Sequence, residues 1–416
     1  MDALERAGFP AYAVGGCVRD SLLGLTPSDF DLCTAALPEQ TEAVFHDRKL
    51  VLAGKKHGTV GVVTDTGVVE ITTFRTEGEY RDNRHPEWVE FVTDITGDLA
   101  RRDFTVNAMA WSPYRGFADP FGGQEDLKNH VLRAVGDPEQ RFREDSLRIL
   151  RGTRFSAKYR LTPDPATEKA MFALRGLMGN LARERVFDEL SKLLMVCNAA
   201  DLTRFAPILT AVMPELADCV GFEQHNPHHT LDVYGHIAQV VERVPNILPL
   251  RWAALLHDVG KPATFTMDES GTGHFYGHAQ VSAQLADQIL RRLKSPTALR
   301  EQVVFLVEQH MTPLTPDRKL LRRRLSQYGE ENVRLLLVLQ QADGCDNAGV
   351  EPLLAEILAE ESCLKIKDLA INGNDLMALG FNGRAIGTCL KSLLDQVLDE
   401  TLPNEKTALL QAAKNL

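Results

Sequence analysis

Disulfide architecture is the first thing the sequence rules out. Its seven cysteines (Cys17, Cys33, Cys197, Cys219, Cys345, Cys363 and Cys389) form neither a C-x-x-C pair nor a regular framework. The opening Met1-Asp2-Ala3-Leu4-Glu5 lacks the basic stretch and apolar core of a secretion signal. No apolar run approaches the length of a membrane span. A reduced, cytoplasmic protein without a membrane partner is therefore expected. An excess of positive charge is also missing: 46 Lys and Arg face 57 Asp and Glu, a net charge of −11. Any nucleic acid must be held by local patches rather than by the field of the whole molecule. Two such patches occur, one with eight basic and four acidic residues between Arg133 and Arg160, the other formed by Arg318, Lys319, Arg322, Arg323 and Arg324. The second is expected to be an ordinary solvated helix face. Nothing in the sequence sets an oligomeric state.

With 416 residues, the chain is long enough for two to four packed units. Residues 11 to 120 read as mixed α/β, with β-rich runs at Gly58–Val63, Val68–Thr73 and Trp88–Val92. Beyond about residue 125 the strand signals fade. Leu147, Leu150 and Phe155, then Val186, Leu190 and Leu193, recur at helical intervals. The expected class is α+β, an α/β head followed by a helical body. Four segments are anticipated: a head over 1–127, a helical neck over 128–205, a metal-binding domain over 206–345 and a helical tail over 346–416.

Near the start, Gly15-Gly16-Cys17-Val18-Arg19-Asp20 is followed by Ser28-Asp29-Phe30-Asp31-Leu32. If these lie on a strand, alternation puts Asp29 and Asp31 on one face, with Phe30 and Leu32 in the core behind. Two carboxylates sharing one small volume repel each other unless a divalent cation separates them, and magnesium held by carboxylates and substrate phosphates is the usual arrangement for attack on a nucleotide. Gly15 and Gly16 allow close approach of a triphosphate, and Arg19 can offset its charge. Glu70, within Val69-Glu70-Ile71, is the candidate third carboxylate. A DxD alone is more often a solvated turn, and the preceding glycine turn and arginine favour the metal site. Arg101 and Arg102 open another cationic segment, and on a continuous helix Asp145, Arg148 and Arg151 share one face while Arg154 swings away. Such a carboxylate and guanidinium can hydrogen-bond the pairing edge of a base; the plainer reading is a surface ion pair.

The ordered series GGCVRD, DFD, FRTEGEYRDNRHP, RRDFTVNAMA, DPFGG, REDSLRILRGTRF and RERVFDELSKLL resembles the motif set of the class II tRNA nucleotidyltransferase and bacterial poly(A) polymerase family, whose head is similar to the palm of DNA polymerase beta. The resemblance covers about the first half of the chain. It implies two Mg2+ ions at Asp29 and Asp31, triphosphate contacts from Gly16, Arg19 and Arg102, and a base read by Asp145 and Arg148 with Arg151 and Arg154. The implied activity is template-independent addition of C, C and A to the 3′ end of tRNA from CTP and ATP. An A-adding enzyme or a poly(A) polymerase keeps the same motifs. Glu77, Tyr80, Arg81, Asp82, Arg84, His85 and Pro86 occupy the family's flexible loop, so A addition is expected, and the stretch from Asp368 to Leu416 resembles the C-terminal body of Gram-positive-type members. Fewer residues than usual precede the glycine turn, so the first helix is expected to be incomplete.

A second constellation runs through His236, His257-Asp258, His278, His310 and Asp343. Imidazole and carboxylate together suit a transition metal that activates water. The order resembles the HD phosphohydrolase superfamily, which implies one metal on His257, Asp258, Asp343 and His236, with His228 and His229 competing for the last place, and a second on His278 and His310. Phosphoester hydrolysis on RNA ends or nucleotides is the alternative function of a different class. A metal-bearing scaffold that only supports tRNA is the plainer reading of this domain, and a catalytically dead RNA-binding module is the reading that the intact DxD argues against.

Overall fold

The computed structural model describes residues 1–65, 67–77, 89–225, 230–360 and 363–416. His228, His229 and the loop residues Tyr80, Arg81, Asp82, Arg84, His85 and Pro86 lie outside the described residues. Two compact units emerge, Met1–Val220 with Arg292–Ser295, and Gly221–Arg291 with Pro296–Leu416. Residues 206–220, expected to open the metal-binding domain, pack with the first unit.

In the first unit, seven strands build one sheet: β1 Ala11–Val14, β2 Asp31–Thr34, β3 Leu50–Val51, β4 Thr59–Thr64, β5 Gly67–Thr73, β6 Ala110–Ser112 and β7 Gly116–Ala118. Their order is β3-β4-β5-β2-β1-β6-β7. Only β2 and β5 pair in parallel, and they bring Asp31 beside Glu70. The expected runs at Gly58–Val63 and Val68–Thr73 correspond to β4 and β5, because β-branched valine and threonine suit a pleated, half-buried surface.

A helix over Leu147–Tyr159 packs against one over Arg183–Leu194. Leu147, Leu150 and Phe155, then Val186, Leu190 and Leu193, are all buried, as a 3.6-residue period requires. Phe104 joins this layer to the sheet segment through ring contacts with Phe142 and Phe155 at 6.4 and 5.9 Å. Gly152 makes the close approach possible, since a Cβ there would stand 2.9 Å from Phe104 Cζ.

The second unit is mainly helical. Helices over Val233–Arg243, Leu248–Leu256, Thr297–Gln309 and Glu330–Asp343 pack on one another. The expectation of a purely helical body after the head needs a correction. Val131–Leu132 pairs with Thr162–Pro163 in the first unit, and Thr266–Met267 pairs with Gly273–His274 in the second. Two-residue ladders are too short to leave an alternating signature. No helix of the described residues is long and apolar enough to cross a membrane.

Candidate functional site

The strand β2 starts at Asp31, so Asp29 and Phe30 precede it. Alternation therefore does not govern them, and Phe30 is not core: it is 54% exposed and lines an apolar cleft of about 430 Å³ with Val18, Leu22, Trp111 and Phe117. Leu32 is buried as expected. The three carboxylates still converge. Burial, then the negative charges of Asp29 and Glu70, raise the Asp31 pKa, while Arg102 opposes them. Excess negative charge focused on one carboxylate is what a divalent cation would relieve. The donor set fits such an ion, because it is all oxygen.

Gly15 has a φ of 72°, and a Cβ there would lie 2.7 Å from Arg102 Nη1. Glycine thus supplies both the left-handed backbone and the space that lets Arg102 lie against the turn. Arg102 also pairs with the buried Asp98 at 3.2 Å and keeps its Nε buried without a hydrogen-bond partner. Gly16 opens the helix Gly16–Leu22 that carries Arg19. The Arg19 side chain is buried, however. It donates to Asp20 Oδ1 at 2.8 Å, to Asn107 Oδ1 and to the Tyr159 hydroxyl, and its guanidinium lies 4.2 Å from the Tyr159 ring centroid. Asn107 in turn donates to Asp103 at 3.0 Å, and Asp103 accepts from Arg151 Nε at 2.7 Å. One continuous polar chain thereby connects Arg19 with Arg151. Burial disfavours the Asp103 carboxylate, but the charge of Arg151 and the hydrogen bond of Asn107 outweigh it and hold the pKa at about 2.

Asp145 does not share a helical face with Arg148 and Arg151. It sits in extended conformation two residues before the Leu147–Tyr159 helix, where Oδ1 accepts the otherwise unpaired Leu147 N–H at 3.0 Å. A short carboxylate competes for free amide groups at a helix start, which fixes it outside the helix. Its other oxygen accepts from Arg185 Nη2 at 2.9 Å. Arg148 is buried and donates to Glu144 at 2.8 Å and to the carbonyls of Arg141 and Arg101. Arg154 donates to Glu189 at 2.6 Å. Each predicted base-side arginine thus has a carboxylate partner that the sequence reading had not assigned: Glu144, Asp103 and Glu189. Arg185 was missed although its motif had been noticed. Its Nη1 is buried without a hydrogen-bond partner. The signal available was the RER triplet opening an amphipathic helix.

In the second unit, all six expected ligands meet. His236 Nε2 lies 2.8 Å from Asp343 Oδ1 and 3.3 Å from His257 Nε2, and Asp258 Oδ2 lies 3.4 Å and 3.2 Å from the same two rings. On its other oxygen, Asp258 faces His278 at 3.3 Å and His310 at 3.8 Å, whose Nε2 atoms stand 3.2 Å apart. Two triads, His236-His257-Asp258 and Asp258-His278-His310, have the spacing of metal ligands. Helix ends position them. His257 and His310 close the Leu248–Leu256 and Thr297–Gln309 helices, where terminal carbonyls lack partners. His257 Nδ1 takes Ala254 O at 2.8 Å, His310 Nδ1 takes Val307 O at 2.6 Å, and His278 Nδ1 takes Phe275 O at 2.7 Å. In these three rings a carbonyl fixes Nδ1 as the donor, so in the neutral form Nε2 turns a lone pair inward. Facing lone pairs at this distance repel unless a cation stands between them. Asp258 Oδ2 is also buried without a properly aligned hydrogen bond, although Lys261 Nζ lies at 2.6 Å. Burial disfavours charge on His257, yet Asp258 and Asp343 push its pKa up to about 10; burial and the neighbouring His257 push His310 down to about 4. One positive charge is stabilised here and a second proton is resisted. These observations fit a metal with nitrogen and oxygen ligands.

The chain resembles known proteins along its whole length. It is 33% identical to the CCA-adding enzyme of Limosilactobacillus fermentum over all of this chain and 95% of that one. This chain belongs to the CCA-adding enzyme family. The CCA-adding enzyme of Streptococcus suis is 32% identical over the same shares. Among solved structures, the Bacillus stearothermophilus CCA-adding enzyme in complex with CTP matches with a TM-score of 0.76 and 28% identity over all of this chain and 95% of that one. A poly A polymerase head domain model matches residues 11–133, and a tRNA nucleotidyltransferase domain 2 model matches residues 265–413. Family membership makes the chain a tRNA nucleotidyltransferase, and nucleotidyl transfer draws on a divalent cation. The basic stretch 318–324 finds a different use: Arg318 pairs with Glu356 at 2.8 Å, and Arg323 pairs with Asp399 at 2.5 Å. Those guanidinium groups are matched by carboxylates of the same unit.

Proposed function

We propose that this CCA-adding enzyme family member extends the 3′ end of tRNA with C, C and A from CTP and ATP, and that Asp29, Asp31 and Glu70 carry the chemistry. The observation that supports it most is the parallel register of Asp31 with Glu70, beside Asp29, in a chain similar over its full length to CCA-adding enzymes. In this reading the carboxylates hold two Mg2+ ions, which supply charge neutralisation at the phosphates and activate the attacking hydroxyl. Gly16 lets the backbone approach the triphosphate, and the Arg102 guanidinium offsets its charge. Arg19 acts from behind, holding Asn107 and Tyr159. Asp145 and Arg148 read the base, oriented by Arg185 and Glu144; Arg151 and Arg154 shape that pocket through Asp103 and Glu189. The RNA 3′ oxygen bonds to the α-phosphorus, the bond to pyrophosphate breaks, and the hydroxyl proton passes to solvent. In this reading the head and neck take residues 1–127 and 128–220, and the metal-binding domain and tail take 221–345 and 346–416, the expected boundary at 206 moving to 221 because 206–220 pack with the first unit. The seven free thiols support a cytoplasmic place of action.

The test is incorporation of labelled CTP, ATP and UTP into tRNA transcripts lacking the last three, the last one or none of their terminal nucleotides. Addition of C, C and A to the first and A to the second is expected. A alone on the second would make the chain an A-adding enzyme, and long A tracts on any RNA would make it a poly(A) polymerase.

A second activity is supported by the buried cluster of His236, His257, Asp258, His278, His310 and Asp343. In this HD-type reading these residues would hold a transition metal, which would supply a water of lowered pKa. The residues orient a phosphoester so that water adds to phosphorus, the ester P–O bond breaks and the departing oxygen takes the proton. Asp258, facing both triads, is the group that would serve two ions.

A further inference from the structure

Asp98 is fully enclosed, and the transfer reaction as described so far makes no use of it. A carboxylate out of water is costly unless it is paired and its lone pairs are taken up. Here both oxygens are engaged. Oδ1 accepts from Arg101 Nε at 3.0 Å and Nη2 at 2.8 Å, and Oδ2 accepts from Arg102 Nη2 at 3.2 Å and from the Cys33 thiol at 3.5 Å. Burial disfavours charge on Asp98, but Arg101 and then Arg102 outweigh it and hold its pKa below the ordinary carboxylate value. One permanent negative charge is therefore shared between two arginines adjacent in the chain.

The two arginines lead in different directions. Arg102 Nη2 also lies 3.6 Å from Cys33 Sγ, and Cys33 stands two residues after Asp31 on the same side of β2. Its Nη1 occupies the room that glycine leaves at position 15. Asp98 thus anchors the cation that faces the catalytic acids and the glycine turn. Arg101 leads to the base side through its backbone. The helix Ile95–Ala100 ends there, and the last carbonyls of a helix have no partner within it. Arg141 Nη1 donates to Ala100 O at 3.1 Å, and Arg148 Nη2 donates to Arg101 O at 2.9 Å, as cations favour a helix C-terminus. The turn that Asp98 clamps therefore presents the carbonyl that orients Arg148. An apolar side chain could fill the same space without charge; it could not anchor both arginines at once.

We propose that Asp98 is a positioning residue of nucleotidyl transfer, which sets Arg102 at the triphosphate and, through the Arg101 backbone, Arg148 at the base. The inference rests on the reading of the head as the transfer site. Loss of Asp98 then disturbs both the rate and the choice of nucleotide, whereas loss of Arg102 disturbs the rate alone.

The test is steady-state incorporation of CTP and of UTP into a tRNA transcript lacking its terminal CCA, with the full-length protein and the variants Asp98→Asn, Arg102→Ala, the two combined, and Asp31→Asn. Asp98→Asn keeps the size of the side chain and one acceptor oxygen. Its kcat/KM for CTP should fall by about 100-fold, the order that misplacement of a site group costs. Its preference for CTP over UTP should fall by about tenfold. Arg102→Ala should lower kcat/KM and leave the preference as it was. The combined variant should lose far less than the product of the two single losses, because one interaction cannot be removed twice. A native kcat/KM in Asp98→Asn, an unaltered preference, or losses that multiply would each overturn the inference. Should Asp98→Asn fail to fold, Arg101→Ala removes both donors to Asp98 Oδ1 but keeps the carbonyl that Arg148 uses; it should lower the preference for CTP, and an unaltered preference would overturn the inference. An active Asp31→Asn would overturn the head as the transfer site, whereas an inactive one beside a native-like Asp98→Asn overturns the positioning role alone.

Discussion

The carboxylate trio of the head and the histidine cluster of the second unit solve the problem of concentrated charge in opposite ways. Asp29, Asp31 and Glu70 lie before, at the start of and midway along two neighbouring strands, and burial together with like charge is left to raise the Asp31 pKa. His257, Asp258 and His310 are buried to within 1% of full enclosure, and both of these rings are tethered by a carbonyl. A site that received a triphosphate on every turnover would gain its compensating charge from the cations that accompany the substrate, the triphosphate itself being negative. A buried site must compensate permanently, because an unpaired charge out of water costs several kcal/mol. The open site is thereby built for exchange and the closed one for retention.

That contrast breaks first under removal of the acids. Asp31→Asn is expected to reduce tRNA end addition by about a thousandfold or more, since charge placement supplies most of the rate in phosphoryl transfer, while the melting temperature holds. A melting temperature lowered by many degrees would show the trio to be structural. The converse applies to the buried cluster: Asp258→Asn should weaken metal uptake by about 10- to 100-fold and lower the melting temperature, with CTP incorporation kept within a small factor. Metal content by plasma mass spectrometry and a thermal scan decide it.

Smaller effects sharpen the comparison within the first unit. The Asp103 pKa is depressed to about 2, so its stabilisation is complete above the unfolded value near 4 and disappears as pH falls toward 2. The window spans nearly two pKa units, or about 2 kcal/mol. Denaturant titrations of the native chain and Asp103→Asn should differ by that amount at pH 6 and converge near pH 2; a gap independent of pH would assign the loss to packing. Gly152→Ala sets roughly 1 kcal/mol of helix propensity against a 2.9 Å approach to Phe104, and overpacking of about 1–3 kcal/mol should win in a urea melt. The least effect is expected for Arg323→Ala, about 0.5 kcal/mol or less, with tRNA affinity and its salt dependence unaltered. A large loss of affinity would make the 318–324 stretch an RNA contact rather than an ion-paired helix face.

How much of this was readable beforehand depends on the range of the interaction. Strands β4 and β5, the buried stripes of Leu147–Phe155 and Val186–Leu193, and the pairing of Glu70 with the DxD all follow from local period and motif order. The six metal-ligand candidates were legible too, because their residue types have few other reasons to recur in that order. What failed lay at element boundaries. Asp145 was placed in a helix that begins two residues later, and Phe30 was given the alternation of a strand that begins one residue later; end positions depend on which amide a side chain captures. What was absent were partners remote in sequence. Arg154 meets Glu189 35 residues away, Arg185 meets Asp145 40 residues away, and Arg151 meets Asp103 48 residues away, contacts that only the packed tertiary fold brings together.

The imidazole-to-carbonyl tethers carry one more implication. His257 and His310 are each bonded to the last turn of the helix they terminate, so unwinding of that turn swings the inward nitrogen away. Loosening of a helix tip and loss of a bound cation then become a single event. A cation held by the cluster would act as a clasp on two helix ends, and its release on warming should register as an early, local loss of amide protection before the rest of the unit opens.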